Sequence, residues 1–403
     1  MRIDFHPQLN VFAGKNGIGK TTILNALEKT LDIAHLNHVT GNERRDLESL
    51  AIISLHDIQI GAEFARVRLQ FSFRDKHIST TVSSKPGEMA SDFITHFPQA
   101  GLRLPHRSFS ENRSTMTGTY APNEKIRNII SGVDPIMGSI IDDTTRYGHS
   151  FAWISDREDL ENNRLRKFID SGKEFGRDHF EKDKILQTVK KAIADITGFA
   201  GLFHDREKYG FTVQKHLGSE EDILLFSQLS SGEQHLVAFV ATIAVYLAVS
   251  FPKAEKPLHG EAVFMTDAIE LHLHPSWQRE IIPRLLSSFP NCQFIITTHS
   301  PQILGNVRPD SVFILKRADN DIIYEKPDES YGMTMDRLLE LVMEEVARPA
   351  APIHEQIEIL FEHISRKEFD KASDIIKSLK KEIPTDPDLI RAEMLLLRKG
   401  LCL

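Results

Sequence analysis

The residues best suited to chemistry lie near the start of the chain. Gly14-Lys15-Asn16-Gly17-Ile18-Gly19-Lys20-Thr21 fits the phosphate-loop pattern G-x4-G-K-[ST]. Its glycines let successive backbone N–H groups curl around phosphate oxygens with no Cβ in the way. Lys20 can reach β- and γ-phosphates, and the Thr21 hydroxyl can ligate Mg²⁺. Asn16, Gly17, Gly19 and Thr22 complete the nucleotide-contacting set. A helix that starts at the loop adds its positive N-terminal end. A chance glycine turn is the bland alternative, and the apolar run before the loop with the helical pattern after it argues against that.

Other clusters lie far along the chain. Leu229-Ser230-Ser231-Gly232-Glu233-Gln234 opens a long apolar stretch, Leu236 to Val249, and Ser230 with Glu233 three residues on also reads as a helix capping box. Ala262-Val263-Phe264-Met265-Thr266-Asp267 is an apolar run ending in an acid. Ile269-Glu270-Leu271-His272-Leu273-His274-Pro275 holds a His-x-His pair, but no further ligand set stands near it in sequence. Thr297-Thr298-His299-Ser300-Pro301 follows another apolar run.

These clusters need elements to hold them. Val11-Phe12-Ala13 reads as a strand, and Ile23, Leu24, Leu27 and Leu31 fall at helical spacing. Arg66 to Phe73 alternates as a half-buried strand does, Ser108–Thr119 reads as an exposed loop, and helices are expected from Phe151 to about Lys167 and over Lys184–Ile196. From Ser227 a regular rhythm returns: a long helix after Gly232, strand Ala262–Met265, helix Trp277–Leu286, and strands Phe294–Thr298 and Val312–Leu315. Strands alternating with helices imply an α/β fold with a mainly parallel sheet covered on both faces. After Pro349, apolar stripes at Ile357/Leu360/Phe361/Ile364, Ala372/Ile375/Ile376/Leu379 and Leu389/Ala392/Leu395/Leu396 predict three amphipathic helices, with Pro384 and Pro387 separating the last pair. The expected organisation is a nucleotide-binding core over 1–31 and 225–345, a variable strand-and-helix lobe inserted over 32–224, and a C-terminal helical hairpin over 350–403.

Composition narrows the classes. In 403 residues, 41% hydrophobic and 26% charged side chains describe a globular chain rather than a disordered one. No apolar run of membrane-spanning length stands out, and Met1-Arg2-Ile3-Asp4-Phe5 is unlike a signal peptide. Two cysteines, Cys292 and Cys402, do not make a disulfide framework, and the expected setting is the cytoplasm. A net charge of −8 speaks against indiscriminate nucleic-acid binding.

Together the clusters resemble the motif set of ABC-type P-loop ATPases, in the SMC, RecF and OLD-like branches. The resemblance implies ATP and Mg²⁺ as ligands. It makes Ser230, Ser231, Gly232 and Glu233 the signature that faces the γ-phosphate held by a second subunit, Asp267 the Walker B acid that shares Mg²⁺ with Thr21, residues 269–275 the D-loop, and His299 the switch histidine. In that family a Glu follows the Walker B acid and polarises the attacking water. Here that catalytic position is Ala268, which has no proton acceptor, so binding is expected to survive and hydrolysis to be slowed. Glu270 is expected to point elsewhere, and no Q-loop glutamine is assigned.

The stretch Glu270–Ser300, with Phe151-Ala152-Trp153, Arg157–Asn162, Tyr331-Gly332 and the tail after Pro349, is similar to the ATPases of Septu systems and Septu-type retrons in bacterial anti-phage defence. Members of that group start with a further strand carrying Asn-Phe-Arg, which implies a shortened or alternatively started reading frame here. The resemblance implies a homodimer or higher oligomer, an HNH-type nuclease partner, contact with nucleic acid or retron RNA/DNA through the complex, and no membrane. About a hundred residues follow His299, without the acidic cluster of an OLD-type nuclease. The competing readings are a DNA-repair or chromosome-maintenance ATPase of RecF/SMC type, which long coiled-coil arms would favour, a transporter subunit, and a non-hydrolysing ATP sensor.

Overall fold

The computed structural model describes residues 1–36, 65–73, 76–84, 94–96, 106–109, 143–170, 180–207, 210–216, 222–318, 321–343, 351–384 and 386–397. The chain forms two compact units, Met1–Leu338 and Leu339–Leu403.

The first unit opens with β1 (Leu9–Ala13) and α1 (Lys20–Leu36). An antiparallel sheet follows, of β2 (Ala65–Phe73), β3 (Lys76–Ser84) and β4 (Ile94–His96), and then β5 (His106–Phe109). Two helices, α2 (Asp143–Asp170) and α3 (Lys184–Thr197), precede a second antiparallel sheet of β6 (Gly201–Asp205), β7 (Gly210–Gln214) and β8 (Ile223–Leu225). The chain then runs through α4 (Ser231–Ser250), β9 (Ala262–Thr266), α5 (Pro275–Ser288), β10 (Cys292–Thr298), the short α6 (Pro301–Leu304), β11 (Val312–Ala318), β12 (Asp321–Glu325) and α7 (Met335–Met343).

The main sheet has the order β12-β11-β1-β10-β9-β5. Neighbours from β11 to β5 are parallel, and β12 closes one edge antiparallel to β11. The fold is therefore the α/β arrangement the alternation implies. Parallel strands are buried on both faces and read as continuous apolar runs, and every residue of β1 and β9 is buried. On one face Phe12, Val263, Met265, Ile295, Phe313 and Leu315 pack with the α1 stripe Leu24, Leu27 and Leu31. On the other face Phe109 meets Phe239 of α4 at 4.8 Å and Phe264 meets Tyr246 at 5.9 Å between ring centroids.

Helix α4 is buried almost all round, packed against α2, α3 and the sheet. Among the described residues it is the one helix long and apolar enough, by length and composition, to cross a membrane, longer than the apolar stretch Leu236 to Val249 suggests. Burial on every side inside this fold accounts for its apolar character.

Ser108 and Phe109, expected in an exposed loop, instead end β5, and Phe109 is 2% exposed. A four-residue strand with a single large apolar residue carries too little periodicity to be read, and its place is set by backbone pairing with β9. Residues 110–119 of that expected loop lie outside the described residues. Because β5 lies within 32–224, the segment read as an inserted lobe contributes a strand to the main sheet. Helix α2 begins at Asp143 rather than Phe151.

Asp183 fixes the start of α3. Its Oδ1 accepts from the N–H groups of Ile185 and Leu186, each at 3.1 Å, and its Oδ2 accepts from Arg157 at 2.9 Å and Arg164 at 3.1 Å on α2. Burial works against the charged carboxylate, but the Leu186 N–H and the two guanidinium groups outweigh it, so its pKa lies below the ordinary value. A depressed folded pKa means that this stabilisation is complete above pH about 4 and is lost as pH falls through the folded pKa. Asp183→Ala is expected to cost about 1–3 kcal/mol in urea unfolding at pH 7, with a smaller difference from wild type at pH 3. An unchanged midpoint at pH 7 would count against this role.

The second unit contains α8 (Ala351–Ser365), α9 (Phe369–Leu379) and α10 (Pro387–Leu397). Its core is Ile357, Leu360, Ala372, Ile376, Leu379, Leu389, Ala392 and Leu396, drawn from the three predicted stripes. Pro387 occupies the first position of α10, where its missing N–H costs nothing.

Candidate functional site

The site forms at the carboxyl ends of three adjacent parallel strands, where open α/β sheets place their ligands. Register aligns Ala13 of β1 with Thr298 of β10, and Ile296 of β10 with Thr266 of β9. The loop after β1 is therefore brought beside the acid after β9 and the histidine after β10, which lie about 250 and 280 residues further along the sequence.

The phosphate loop runs directly from β1 into α1. Gly14 has φ +144°, and a Cβ there would stand 2.8 Å from the Leu315 carbonyl oxygen on β11, so only glycine fits without displacing backbone. Asn16, Gly17, Thr21 and Thr22 are exposed, Gly19 is half-buried and Lys20 is buried. Lys20 Nζ donates to the carbonyl oxygens of Gly14 at 2.9 Å and Lys15 at 3.0 Å, and lies 3.5 Å from His299 Nδ1. Those carbonyls hold the ammonium where phosphate oxygens can take it over. The structure thus brings His299 and the phosphate-loop lysine together.

Thr21 Oγ1 donates to Asp267 Oδ2 at 2.8 Å. A hydroxyl and a carboxylate side by side supply hard oxygen ligands of the kind Mg²⁺ takes alongside phosphate oxygens and waters, so the residues fit that ion. Asp267 is buried and closely anchored: Thr297 Oγ1 donates to its Oδ1, and its N–H donates to the Phe109 carbonyl of β5 at 2.9 Å. Thr297 falls in a cluster visible in the sequence but with no role assigned to it, and β5 is not visible there as a strand, because both roles depend on strand neighbours.

Ala268 lies just beyond, at φ +45°, and its N–H donates to Thr297 Oγ1 at 2.8 Å. A positive φ is uncommon for a non-glycine residue. It turns the chain so that Leu271 N–H bonds the Ala268 carbonyl at 2.9 Å and Glu270 swings back toward β10. Glu270 was expected to point elsewhere, and it does not reach a base position. Its Oε1 accepts from the His299 N–H and its Oε2 from Thr298 Oγ1, both at 2.7 Å. The His-x-His pair is occupied structurally: His272 stacks on His235 of α4 at 4.4 Å between centroids, and His274 caps α5.

The Ser230–Glu233 cluster opens α4. Ser230 Oγ accepts from the Glu233 N–H at 3.3 Å and donates to Glu233 Oε2 at 2.9 Å, while Ser230 N–H donates to the same oxygen at 2.8 Å, so the capping box is real. Lys215 Nζ bonds Glu233 Oε1 at 2.6 Å. Burial opposes ionisation of Glu233, but Lys215 and the Ser230 donors prevail and hold its pKa below the usual carboxylate value. Ser230 and Ser231 are exposed, whereas Gly232 is buried. A Cβ on Gly232 would come within 2.2 Å of the His272 carbonyl oxygen, so glycine lets the turn after β9 lie directly on the helix start. Ser230 bonds within the start of its own helix, to Glu233 and through its carbonyl to the Gln234 N–H at 2.9 Å.

A phosphate loop at the end of a central parallel strand, a helix capped by Ser230, an acid beside the loop threonine and a histidine beside the loop lysine are the features of a P-loop ATPase of ABC type. The chain belongs to the family described as "AAA domain, putative AbiEii toxin, Type IV TA system", which matches residues 9–305. It is similar to the "Retron Ec83 probable ATPase" of Escherichia coli, at 26% identity across 86% of this chain and 74% of that protein. It is similar to the "Retron Vc95 probable ATPase" of Vibrio cholerae, at 26% identity across 77% and 69%. The Septu protein PtuA of Bacillus thuringiensis matches at 23% identity across 85% and 80%. Among solved structures, an SMC head bound to the C-winged helix domain of ScpA aligns with a TM-score of 0.45 at 14% identity, over 81% of this chain and 92% of that one.

Proposed function

We propose that two copies of this chain close around two magnesium–ATP molecules and that the closed form regulates a nuclease partner in anti-phage defence. The carrying observation is the division of the site. Lys20, Thr21, Asp267 and His299 gather at the carboxyl ends of the central strands. The exposed Ser230 and Ser231 instead present a helix N-terminus bonded to Glu233, and so are open to a γ-phosphate held by a second copy. The likeness to a retron probable ATPase and to Septu protein PtuA supports the defence role. In this reading the partner is an HNH-type nuclease, retron RNA/DNA or other nucleic acid is reached through that complex, and the setting is the cytoplasm.

Hydrolysis is slow in this reading, because the Ala268 methyl group cannot take a proton from water. Lys20 neutralises phosphate charge, Thr21 and Asp267 hold Mg²⁺, and His299 reads the terminal phosphate. Mg²⁺ when bound screens the β- and γ-oxygens. The chain then behaves as a nucleotide-gated clamp.

Size-exclusion chromatography with and without magnesium–ATP tests this directly. The expected result is a shift to twice the mass, or a higher multiple, with ATP, and no shift for Ser230→Arg, whose side chain would obstruct the shared phosphate. A monomer under both conditions would overturn the shared-site reading. A nuclease or reverse-transcriptase gene beside this one would support the branch, and a permease gene would oppose it.

A further inference from the structure

We infer that Glu270 is the positioning residue for His299: its carboxylate clamps the end of β10 and sets the histidine beside Lys20, so that the chain distinguishes a triphosphate from a diphosphate. The inference rests on the ATP-binding reading of the site.

The geometry is a two-armed clamp. One carboxylate oxygen accepts from the His299 backbone N–H and the other from the Thr298 hydroxyl, each at 2.7 Å. Thr298 Oγ1 in turn accepts from the Ser300 N–H at 3.0 Å, and Ser300 Oγ donates to Gln278 of α5 at 2.6 Å. Residues 298–300, where β10 ends and the backbone could otherwise swing, are thus tied on both sides. Thr298 and Ser300 are buried, and Glu270 and His299 are half-buried, so these bonds are partly shielded from water and their loss is felt.

The clamp bears on phosphate through His299. Its Nδ1 stands 3.5 Å from Lys20 Nζ, the group that reaches β- and γ-phosphates. A backbone shift of about 1 Å at His299 would move the ring out of hydrogen-bonding range of that phosphate, because such bonds weaken steeply beyond about 3.2 Å. Glu270 reaches this place because Ala268 holds φ +45° and folds the turn back on β10. The same turn rests on Gly232 at the start of α4 through the His272 carbonyl. Both carboxylate oxygens are taken by donors on β10, which is why Glu270 serves as a clamp and not as the missing base.

Reach and charge can be separated by substitution. Glu270→Gln keeps the length and can still accept from the His299 N–H. Glu270→Asp keeps the charge but draws the carboxylate back by one C–C bond, about 1.5 Å. In the full-length protein, affinities for a non-hydrolysable ATP analogue and for ADP, each with Mg²⁺, would be measured by calorimetry. Glu270→Asp and Glu270→Ala are expected to weaken analogue binding about 10-fold, the value of a lost hydrogen bond to a charged group, while ADP binding stays within about two-fold. Glu270→Gln is expected to retain most of the selectivity. In a His299→Ala background the Glu270 substitutions should add nothing further, since the two residues then act as one unit.

Equal losses for both nucleotides would overturn the positioning role, as would effects additive with His299→Ala. A normal Glu270→Asp with an impaired Glu270→Gln would overturn it in favour of a charge role. Wild-type protein that binds neither nucleotide overturns the ATP-site reading itself, which is distinct from wild-type binding with additive variants. Glu270→Asp and Glu270→Gln keep a polar group at the turn, so the comparison stands even if Glu270→Ala fails to fold.

Discussion

Replacing Ala268 with Glu is expected to raise steady-state phosphate release from ATP by about 10²–10⁴-fold, the usual worth of a positioned general base. The position is prepared for such a residue. It directly follows Asp267 at the end of β9, is half-buried rather than sealed, and has its backbone N–H fixed on Thr297 Oγ1 at 2.8 Å. Its φ of +45° already imposes the cost of a left-handed residue on alanine, so a longer side chain adds little new strain. Glu270 does not fill the gap, since its two oxygens accept from Thr298 and His299. The check is a phosphate-release assay at saturating magnesium–ATP on wild type, Ala268→Glu and Ala268→Gln. Glutamine matches the bulk of glutamate without its basicity, so it should stay near the wild-type rate. Equal rates for all three would show that Ala268 is not the lesion. ATP-analogue affinity should be nearly unchanged, because the substitution acts on the attacking water and not on the bound phosphates.

The parts of the site that could be read from sequence are those where one short segment contains the whole chemical reason. Gly14–Thr21 carries its donors, its conformational freedom and its charge within eight residues. Strands β1, β9 and β10 were legible because central parallel strands are buried on both faces and so read as unbroken apolar runs. The Ser230–Glu233 cap was legible from its spacing, and it forms as written.

What sequence hid depends on partners distant along the chain. Strand β5 is recognisable only from its pairing with β9, yet the Phe109 carbonyl holds the Asp267 N–H. Thr297 sits in an apolar strand and gives no sign that its hydroxyl bridges Asp267 and the Ala268 N–H. Glu270 was expected only to point away from the base position, and where it goes instead, onto Thr298 and His299, follows from a left-handed alanine that folds the turn back. Positive φ at a non-glycine residue has no signature in composition or spacing. Long, nearly uniform burial of α4 likewise comes from packing on several sides at once, which a one-dimensional apolar stretch does not distinguish from a membrane span.

Lys20→Met is expected to weaken ATP binding by about 10²–10³-fold while leaving the fold intact. Methionine keeps much of the length of the side chain but removes the ammonium that reaches two phosphate groups. Hydrogen bonds to charged groups are worth about 1.5–3 kcal/mol each, and two at the lower end, about 3–4 kcal/mol together, give that range. The folded protein loses the bonds from Nζ to the Gly14 and Lys15 carbonyls, at 2.9 and 3.0 Å. Gly14 is buried, but Lys15 and Asn16 beside it are exposed, so water can enter where the ammonium stood and the unfolding midpoint without nucleotide should move little. Linkage gives a second reading of the same loss. With ATP at 100 times the wild-type Kd, nucleotide stabilises wild type by about 2.7 kcal/mol, and a variant weakened 100-fold by only about 0.4 kcal/mol. Denaturant melts with and without magnesium–ATP measure that difference. An undiminished ATP-induced shift in Lys20→Met would mean that the nucleotide is held elsewhere, and the clustering of Lys20, Thr21, Asp267 and His299 would then need another explanation. If the shift collapses while the nucleotide-free midpoint holds, the buried ammonium is present for its ligand and not for the stability of the loop.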